Sequence, residues 1–247
     1  MGGQVTTLIV DADGLAYQAA AAAQKGIAWD DEIYTVHADF AEAKRCLSNN
    51  VAALLTGSEC DDLVLCWSKG PYFRKAVLPS YKANRKGSQP PLVFKDLRAW
   101  AFERWPSKEK PGLEADDVVG ILATMKNRPD SRVIFSPDKD LLQIPGLHYR
   151  PGEGVYRVAE DFAFNQLWLQ VLTGDKSDGY TGIPGCGPKK AAAILSKAVD
   201  RVIAVREAYL AAGLTLKDLE VQVNVARILQ AHCYDFKRKE PILWQTP

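Results

Sequence analysis

Three short apolar runs, each stopping where charge or a polar residue begins, set the architecture of this 247-residue chain. Residues 5–11 pass through Leu8, Ile9 and Val10 and end on Asp11. Residues 63–67 join Leu63, Val64 and Leu65 to Cys66 and Trp67, and residues 132–136 carry Val133, Ile134 and Phe135. Unbroken apolar runs of this length, without polar alternation, read as strands buried on both faces. The stretches between them carry helical signals. Leu15 to Gln24 is alanine-rich. A second helix is expected over residues 37–55, closed by Gly57. Pro90 and Pro91 open a third that continues through Trp105. A fourth covers residues 114–127, with Val118, Val119, Ile121 and Leu122 as its core face, and a short one begins around Asp138. Residues 147–149 and 155–157 form a small hairpin across Pro151, Gly152, Glu153 and Gly154. From Glu160 the chain reads as helix nearly to Phe236. Strands alternating with helices, then helices alone, imply an α/β fold with a central, mostly parallel sheet (residues 1–158) and a helical C-terminal subdomain (residues 159–247).

No segment reaches eighteen uncharged apolar residues, so no membrane span is expected. The N-terminus lacks the basic and long apolar regions of a secretory signal. Five cysteines (Cys46, Cys60, Cys66, Cys186, Cys233), odd in number and at no metal-finger spacing, fit free thiols in a reducing, cytoplasmic setting.

Net charge is +1, which conceals a segregation. Between Lys69 and Lys110 lie eleven basic residues against Asp96, Glu103 and Glu109, a local net charge of +8. Such a field favours a polyanion, although a solvated helical face would look alike. The part from 68 to 89, rich in Pro, Gly and Tyr, reads as a mobile loop or arch.

Acidic clusters flank this basic segment. Asp11 and Asp13 follow the first strand. Glu114, Asp116 and Asp117 open a helix. Asp138 and Asp140 follow the third long strand, and Asp175 and Asp178 sit in a Gly174-to-Gly179 turn. Each has an ordinary alternative: acids complement a helix N-terminus, Asp138 can cap, and Asp178–Gly179 can turn the chain. In an open α/β sheet, however, the carboxyl ends of parallel strands share one edge. Carboxylates gathered there repel unless cations neutralise them, and oxygen donors select magnesium or manganese. Two such ions can clamp both oxygens of a phosphoryl displacement. His37, His148 and His232 are too scattered for a zinc or triad site.

Gly182, Gly185 and Gly187 precede Lys189 and Lys190 between two helices. Glycine lets backbone approach a phosphate, and the following helix start offers free N–H groups to it. A tight helix connection is the plainer alternative.

The stretches 9–13, 81–85, 114–118, 136–140 and 174–187 together resemble the flap endonuclease and 5′→3′ exonuclease superfamily, most of all the phage exonucleases of the T-seven type. Residues 226–229 and 242–244 resemble that type's ending. The resemblance implies a PIN-like domain with a helix–three-turn–helix element at 182–192, and hydrolysis of DNA by two Mg2+ or Mn2+ ions in phage replication or degradation. Asp11, Glu114 and Asp116 match one metal site. Asp138, Asp140 and Asp175 match the other, with Asp117 and Asp178 as further ligands or supports. Lys82 and Arg85 match arch residues that hold the scissile phosphate, and Tyr81 is placed to stack on a base. Substrates would be duplex ends, nicks or 5′ flaps, with RNA of RNA–DNA hybrids a further candidate. The protein would be a monomer in the host cytoplasm.

One departure stands out. Where relatives carry a metal-binding aspartate after the second strand, this chain has Ser68 and Lys69, and a lysine there would repel a metal. A catalytically impaired branched-DNA-binding protein is therefore the second reading. A haloacid-dehalogenase-like phosphatase, suggested by Asp11-Ala12-Asp13, is the third.

Overall fold

The run Leu8, Ile9 and Val10 is almost completely buried, as an interior strand covered on both faces must be. It belongs to β1 (Thr6–Asp11), the middle of a six-stranded sheet. The structure, a computed structural model, describes residues 5–28, 34–85, 87, 89–126 and 131–247, excepting the side chains of Tyr34 and Arg85. The Arg85 side chain and residue 127, the expected end of the fourth helix, thus lie outside the described residues.

Chain order continues with α1 (Ala12–Ala22), a two-stranded ribbon of β2 (Gln24–Ala28) and β3 (Tyr34–Ala38), α2 (Phe40–Ser58), β4 (Asp62–Trp67) and α3 (Phe73–Val77). Then come α4 (Phe94–Arg104), β5 (Ser107–Glu109), α5 (Ala115–Thr124), β6 (Ser131–Phe135), β7 (Gly146–Arg150) and β8 (Gly154–Val158). Four helices follow, α6 (Glu160–Thr173), α7 (Pro188–Ser196), α8 (Arg201–Ala211) and α9 (Leu216–Ala226), before a last ribbon of β9 (Tyr234–Asp235) and β10 (Glu240–Pro241).

The sheet runs β5-β4-β1-β6-β7-β8; all neighbours are parallel except the β7–β8 hairpin. One face packs on α1, α2 and α4, through Leu15, Leu47, Leu54 and Leu97. The other packs on α5 and on Ile228 and Leu229. A separate apolar cluster joins α6 to α9 and includes Tyr81. The expected α/β class with a mostly parallel sheet is what the chain adopts. Because β5, β4, β1 and β6 run parallel, their carboxyl ends line one edge.

Several boundaries differ from expectation, for local reasons. His37 lies in β3, and α2 starts after Asp39, whose side chain accepts from Ala41 and Glu42. That helix runs past Gly57 and stops at Glu59 in the left-handed region (φ 54°). The third helix begins only at Phe94, beyond the prolines. The supposed continuous helix to Phe236 is four helices. Gly174 and Gly182 interrupt it first, then Asp200 and the Thr215–Asp218 capping box restart it twice. The segment expected as a mobile loop is folded inward where described: it forms α3 and buries both Arg74 and Tyr81.

Candidate metal and nucleic-acid site

Beyond the parallel strand ends lies an open cleft of about 600 Å³, lined by Asp11, Asp13, Ser68, Tyr72, Lys75, Lys82, Glu114, Asp116 and Asp138. Each strand delivers its part. β1 ends on Asp11, α1 opens one residue later, and Asp13 sits in its first turn. β6 leads through Ser136 to Asp138. Ser136 Oγ donates to Asp11 Oδ2 (3.0 Å) and accepts from the Asp138 N–H (3.0 Å), tying the two strand ends together. β4 ends on Trp67, and the Ser68 hydroxyl accepts from the Ala115 N–H (2.8 Å), which fixes the start of α5 and with it Glu114 and Asp116. The part Ser136 plays, and the bond of Ser68 to the start of α5, were not anticipated; a serine immediately after a buried strand was the only sign.

Crowding shows in the acidities. Burial first, then the neighbouring charges of Asp13 and Asp138, raise Asp11 to a pKa of about 7. Burial, with Asp117 and Glu114 beside it, pushes Asp116 well above the carboxylate range. Burial, Asp138 and Asp175 raise Asp140 to about 6. This cluster holds more potential negative charge than it can ionise by itself.

Glu114 is different. Burial would raise its pKa, but the charges of Arg74 and Lys82 overcome this and lower it. Its carboxylate accepts from Arg74 Nη1 (3.0 Å), the Tyr81 hydroxyl (2.9 Å) and Lys82 Nζ. Lys82 Nζ also lies 3.5 Å from Asp178. Burial opposes the ammonium, yet Glu114, Asp178 and Asp116 hold its pKa above the usual lysine value. Lys82 adopts a left-handed backbone (φ 52°), uncommon for a non-glycine, and its N–H donates to the Asp178 carbonyl (2.8 Å). The lysine expected in the arch is thus held inside the cleft.

Three expectations need correction. Asp117 was grouped with metal ligands, and its carboxylate does lie within 4.8 Å of those of Glu114 and Asp116. It is fully buried, however, and its oxygens accept from both Arg74 Nη atoms (2.5 and 2.8 Å), from the Leu229 N–H (3.0 Å) and from the Glu114 N–H (3.3 Å). No lone pair is left for an ion. Tyr81 was expected to stack on a base, but its ring is buried and its hydroxyl reaches Glu114 and Asp178 (3.1 Å), leaving no open face. Lys69 was expected to repel a metal. Its ammonium instead pairs with Glu109 at the end of β5, turned away from the cleft. The basic segment is also less free than its charge suggests: Lys69, Arg74, Lys82 and Arg98 all pair with carboxylates of the protein. Lys75, not singled out from sequence, is exposed and lines the cleft.

The second acidic group sits beside the first. Asp138 Oδ1 accepts from the Asp140 N–H (2.9 Å), and Gln170 on α6 donates to Asp140. Asp175 Oδ1 accepts from Ser177 N and Oγ (both 2.6 Å) and from Asp178 N (3.2 Å). Burial would raise Asp175, but the Ser177 and Asp178 hydrogen bonds hold it below its ordinary value. The turn depends on glycine. Gly174 (φ 71°) and Gly182 (φ 59°) lie backbone to backbone, and a Cβ on Gly182 would fall 2.4 Å from Gly174 N. Further along, Gly185 (φ 70°) leads to Gly187, which caps α7 with no acid in its first turn. Lys189 and Lys190 there are exposed.

Comparison with known proteins agrees with this arrangement. Residues 6–151 match the family model of the 5′-3′ exonuclease N-terminal, resolvase-like domain. The exodeoxyribonuclease of Enterobacteria phage T3 is 29% identical over 97% of this chain and 92% of its own length. A 5′-3′ exonuclease of Mycobacterium tuberculosis is 31% identical over 74% of this chain and 71% of its own. Among solved structures, the T5 5′-exonuclease with bound zinc superposes with a TM-score of 0.63 at 19% identity, covering 90% of this chain and 89% of that one. The catalytic core of Rad2 in complex with DNA substrate gives 0.56 at 14% identity, covering 99% and 83%. The T5 and Rad2 likenesses concern the fold, a PIN-like arrangement; the sequence matches concern descent. A chain whose parallel strand ends gather these carboxylates, and whose first 150 residues match that model, belongs to the 5′-3′ exonuclease family.

Proposed function

We propose that the protein is a divalent-metal-dependent 5′→3′ exonuclease or flap endonuclease that hydrolyses phosphodiester bonds of DNA at duplex ends, nicks or 5′ flaps. One observation carries this most: five carboxylates and two lysines share one cleft at the carboxyl edge of a parallel sheet. The donor set fits magnesium or manganese, being all hard oxygen, and the raised acidities of Asp11, Asp116 and Asp140 mark a site whose charge calls for cations. Asp11, Glu114 and Asp116 would hold one ion, and Asp138, Asp140, Asp175 and Asp178 a second. Ions bound there would supply Lewis acidity and lower the pKa of a bound water.

The chain's own groups do the rest. Lys82, kept charged, faces a phosphate oxygen in the cleft, and exposed Lys75 extends the same field. Arg74 holds Glu114 and Asp117 still. The start of α7, with Lys189 and Lys190, binds phosphates of the duplex away from the cleft, which fixes position and carries no sequence preference. In this division residues 1–158 carry most of the chemistry, joined by Asp175 and Asp178 from the turn after α6, and the rest of 159–247 carries the duplex grip. The impaired-binder reading keeps its basis in the absent carboxylate at residues 68–69, but not in charge repulsion, since Lys69 pairs with Glu109.

Asp138→Asn tests the assignment. The variant should lose cleavage of labelled duplex by at least about a hundredfold, in the range seen when a group essential to the transition state is removed, while binding the duplex in EDTA as wild type does. Full cleavage would refute the site.

A further inference from the structure

Of the adjacent parallel strands β5, β4, β1 and β6, three bring a carboxylate to the cleft: β1 through Asp11, β6 through Asp138, and β5 through the turn that leads to Glu114. β4 brings Ser68 and Lys69 instead. The Ser68 side chain caps α5, and Lys69 turns to Glu109. Directly over this strand end lies Asp13, whose Oδ2 accepts the Ser68 N–H at 3.1 Å. Asp13 is the second residue of α1 and lines the same cleft as Asp11, Glu114, Asp116 and Asp138.

Its pairing sets it apart from the acids nearby. Glu114 and Asp117 are met by Arg74, and Glu114 also by Lys82. Among the described residues no lysine or arginine side chain lies in ion-pair contact with Asp13; Arg98, the nearest cationic influence, is bound to Glu109 and to the Ser68 carbonyl. A half-buried carboxylate without a protein cation, among other carboxylates, either keeps its proton or takes its countercharge from outside.

We infer that Asp13 is a metal-holding residue of the first site and supplies from α1 the carboxylate that β4 does not. The inference rests on the metal-dependent reading above. Asp13 fixes its position through the Ser68 N–H and lines the cleft beside Asp11, Glu114 and Asp116. Ser68 is thereby free to cap α5, so the cap and the ligand are divided between two residues at one strand end.

Manganese binding to the full chain tests this, measured by titration calorimetry and by the rise in Tm on adding Mn2+. Asp13→Asn keeps an acceptor for the Ser68 N–H and removes only the charge. Its Tm in EDTA should equal or exceed that of wild type, because one repelling carboxylate is gone. Its Mn2+ affinity should fall by about tenfold or more, since losing even a group that only orients a ligand weakens metal binding by about 10–100-fold. Adding Ser68→Asp to Asp13→Asn should restore affinity to within about threefold of wild type by returning a carboxylate to the same strand end. A purely structural Asp13 would lower Tm in EDTA and leave Mn2+ affinity unchanged, and that result overturns the inference. So does a double variant that binds no better than Asp13→Asn. If wild type itself shows no Mn2+ binding, the metal-dependent reading fails, a distinct outcome.

Discussion

Arg74→Met removes the most heavily engaged side chain in the protein. All five guanidinium N–H groups are used: Nε on the Val225 carbonyl (3.0 Å), Nη1 on Glu114 and Asp117, and Nη2 on Asp117 and the Arg227 carbonyl (2.7 Å). The side chain thus pins α3 to the start of α5 and to the segment leaving α9. Breaking a buried pair from one side costs about 3–5 kcal/mol, because the partner charge stays buried. Two orphaned carbonyls add on the order of 1 kcal/mol each. A chain of this length loses about 2–4 °C of Tm per kcal/mol, so Arg74→Met should melt roughly 10–28 °C lower. Arg74→Lys keeps the charge without the fork and should fall between. In Arg74→Met/Asp117→Asn no charge is stranded on Asp117, and part of the loss should return. Thermal and urea unfolding in EDTA reads these three variants, the Asp117→Asn single variant and wild type. A drop under about 3 °C for Arg74→Met, or single effects that simply add in the double variant, would show that the arginine does not organise the acidic cluster.

Two other outcomes follow from the geometry and charge. Asp11 keeps its proton to about pH 7 in the metal-free fold, against 3.8 ordinarily. Between those values the folded state binds more protons than the unfolded chain, so this group's contribution to stability is lost as pH rises through that window and stays lost above it. Asp11→Asn should therefore match wild type in EDTA at pH 4 and gain in relative Tm up to about pH 7; a pH-independent difference would refute the assignment. Lys189→Ala/Lys190→Ala should flatten the dependence of log affinity for duplex on log salt by about 1.8, or about 0.9 per lost phosphate contact. An unchanged slope would place the duplex elsewhere.

What was legible in the sequence was the part that repeats a local rule. Apolar runs gave β1, β4 and β6 because parallel interior strands need both faces apolar. Acids just past them gave the cleft. Residues 107–109 gave no sign of β5, since Ser107, Lys108 and Glu109 form a short polar edge strand made by pairing with β4. The four C-terminal helices merged because their alanine and leucine content is continuous, although Asp200 and Thr215 mark two of the starts. The burial of Arg74 and Tyr81 was not legible, for a deeper reason. In a basic segment both look solvent-facing, and the partners that bury them lie 33 to 153 residues away. Asp117 likewise could be separated from Asp116 only by seeing which of the two Arg74 claims.

The central claim is metal-dependent cutting from a 5′ end. Duplex DNA labelled at the 5′ end, incubated with wild-type protein and Mg2+, should release labelled mononucleotides or short products, and none in EDTA. Intact label in both, with the duplex still bound, would contradict the account and leave a protein that holds DNA without cutting it.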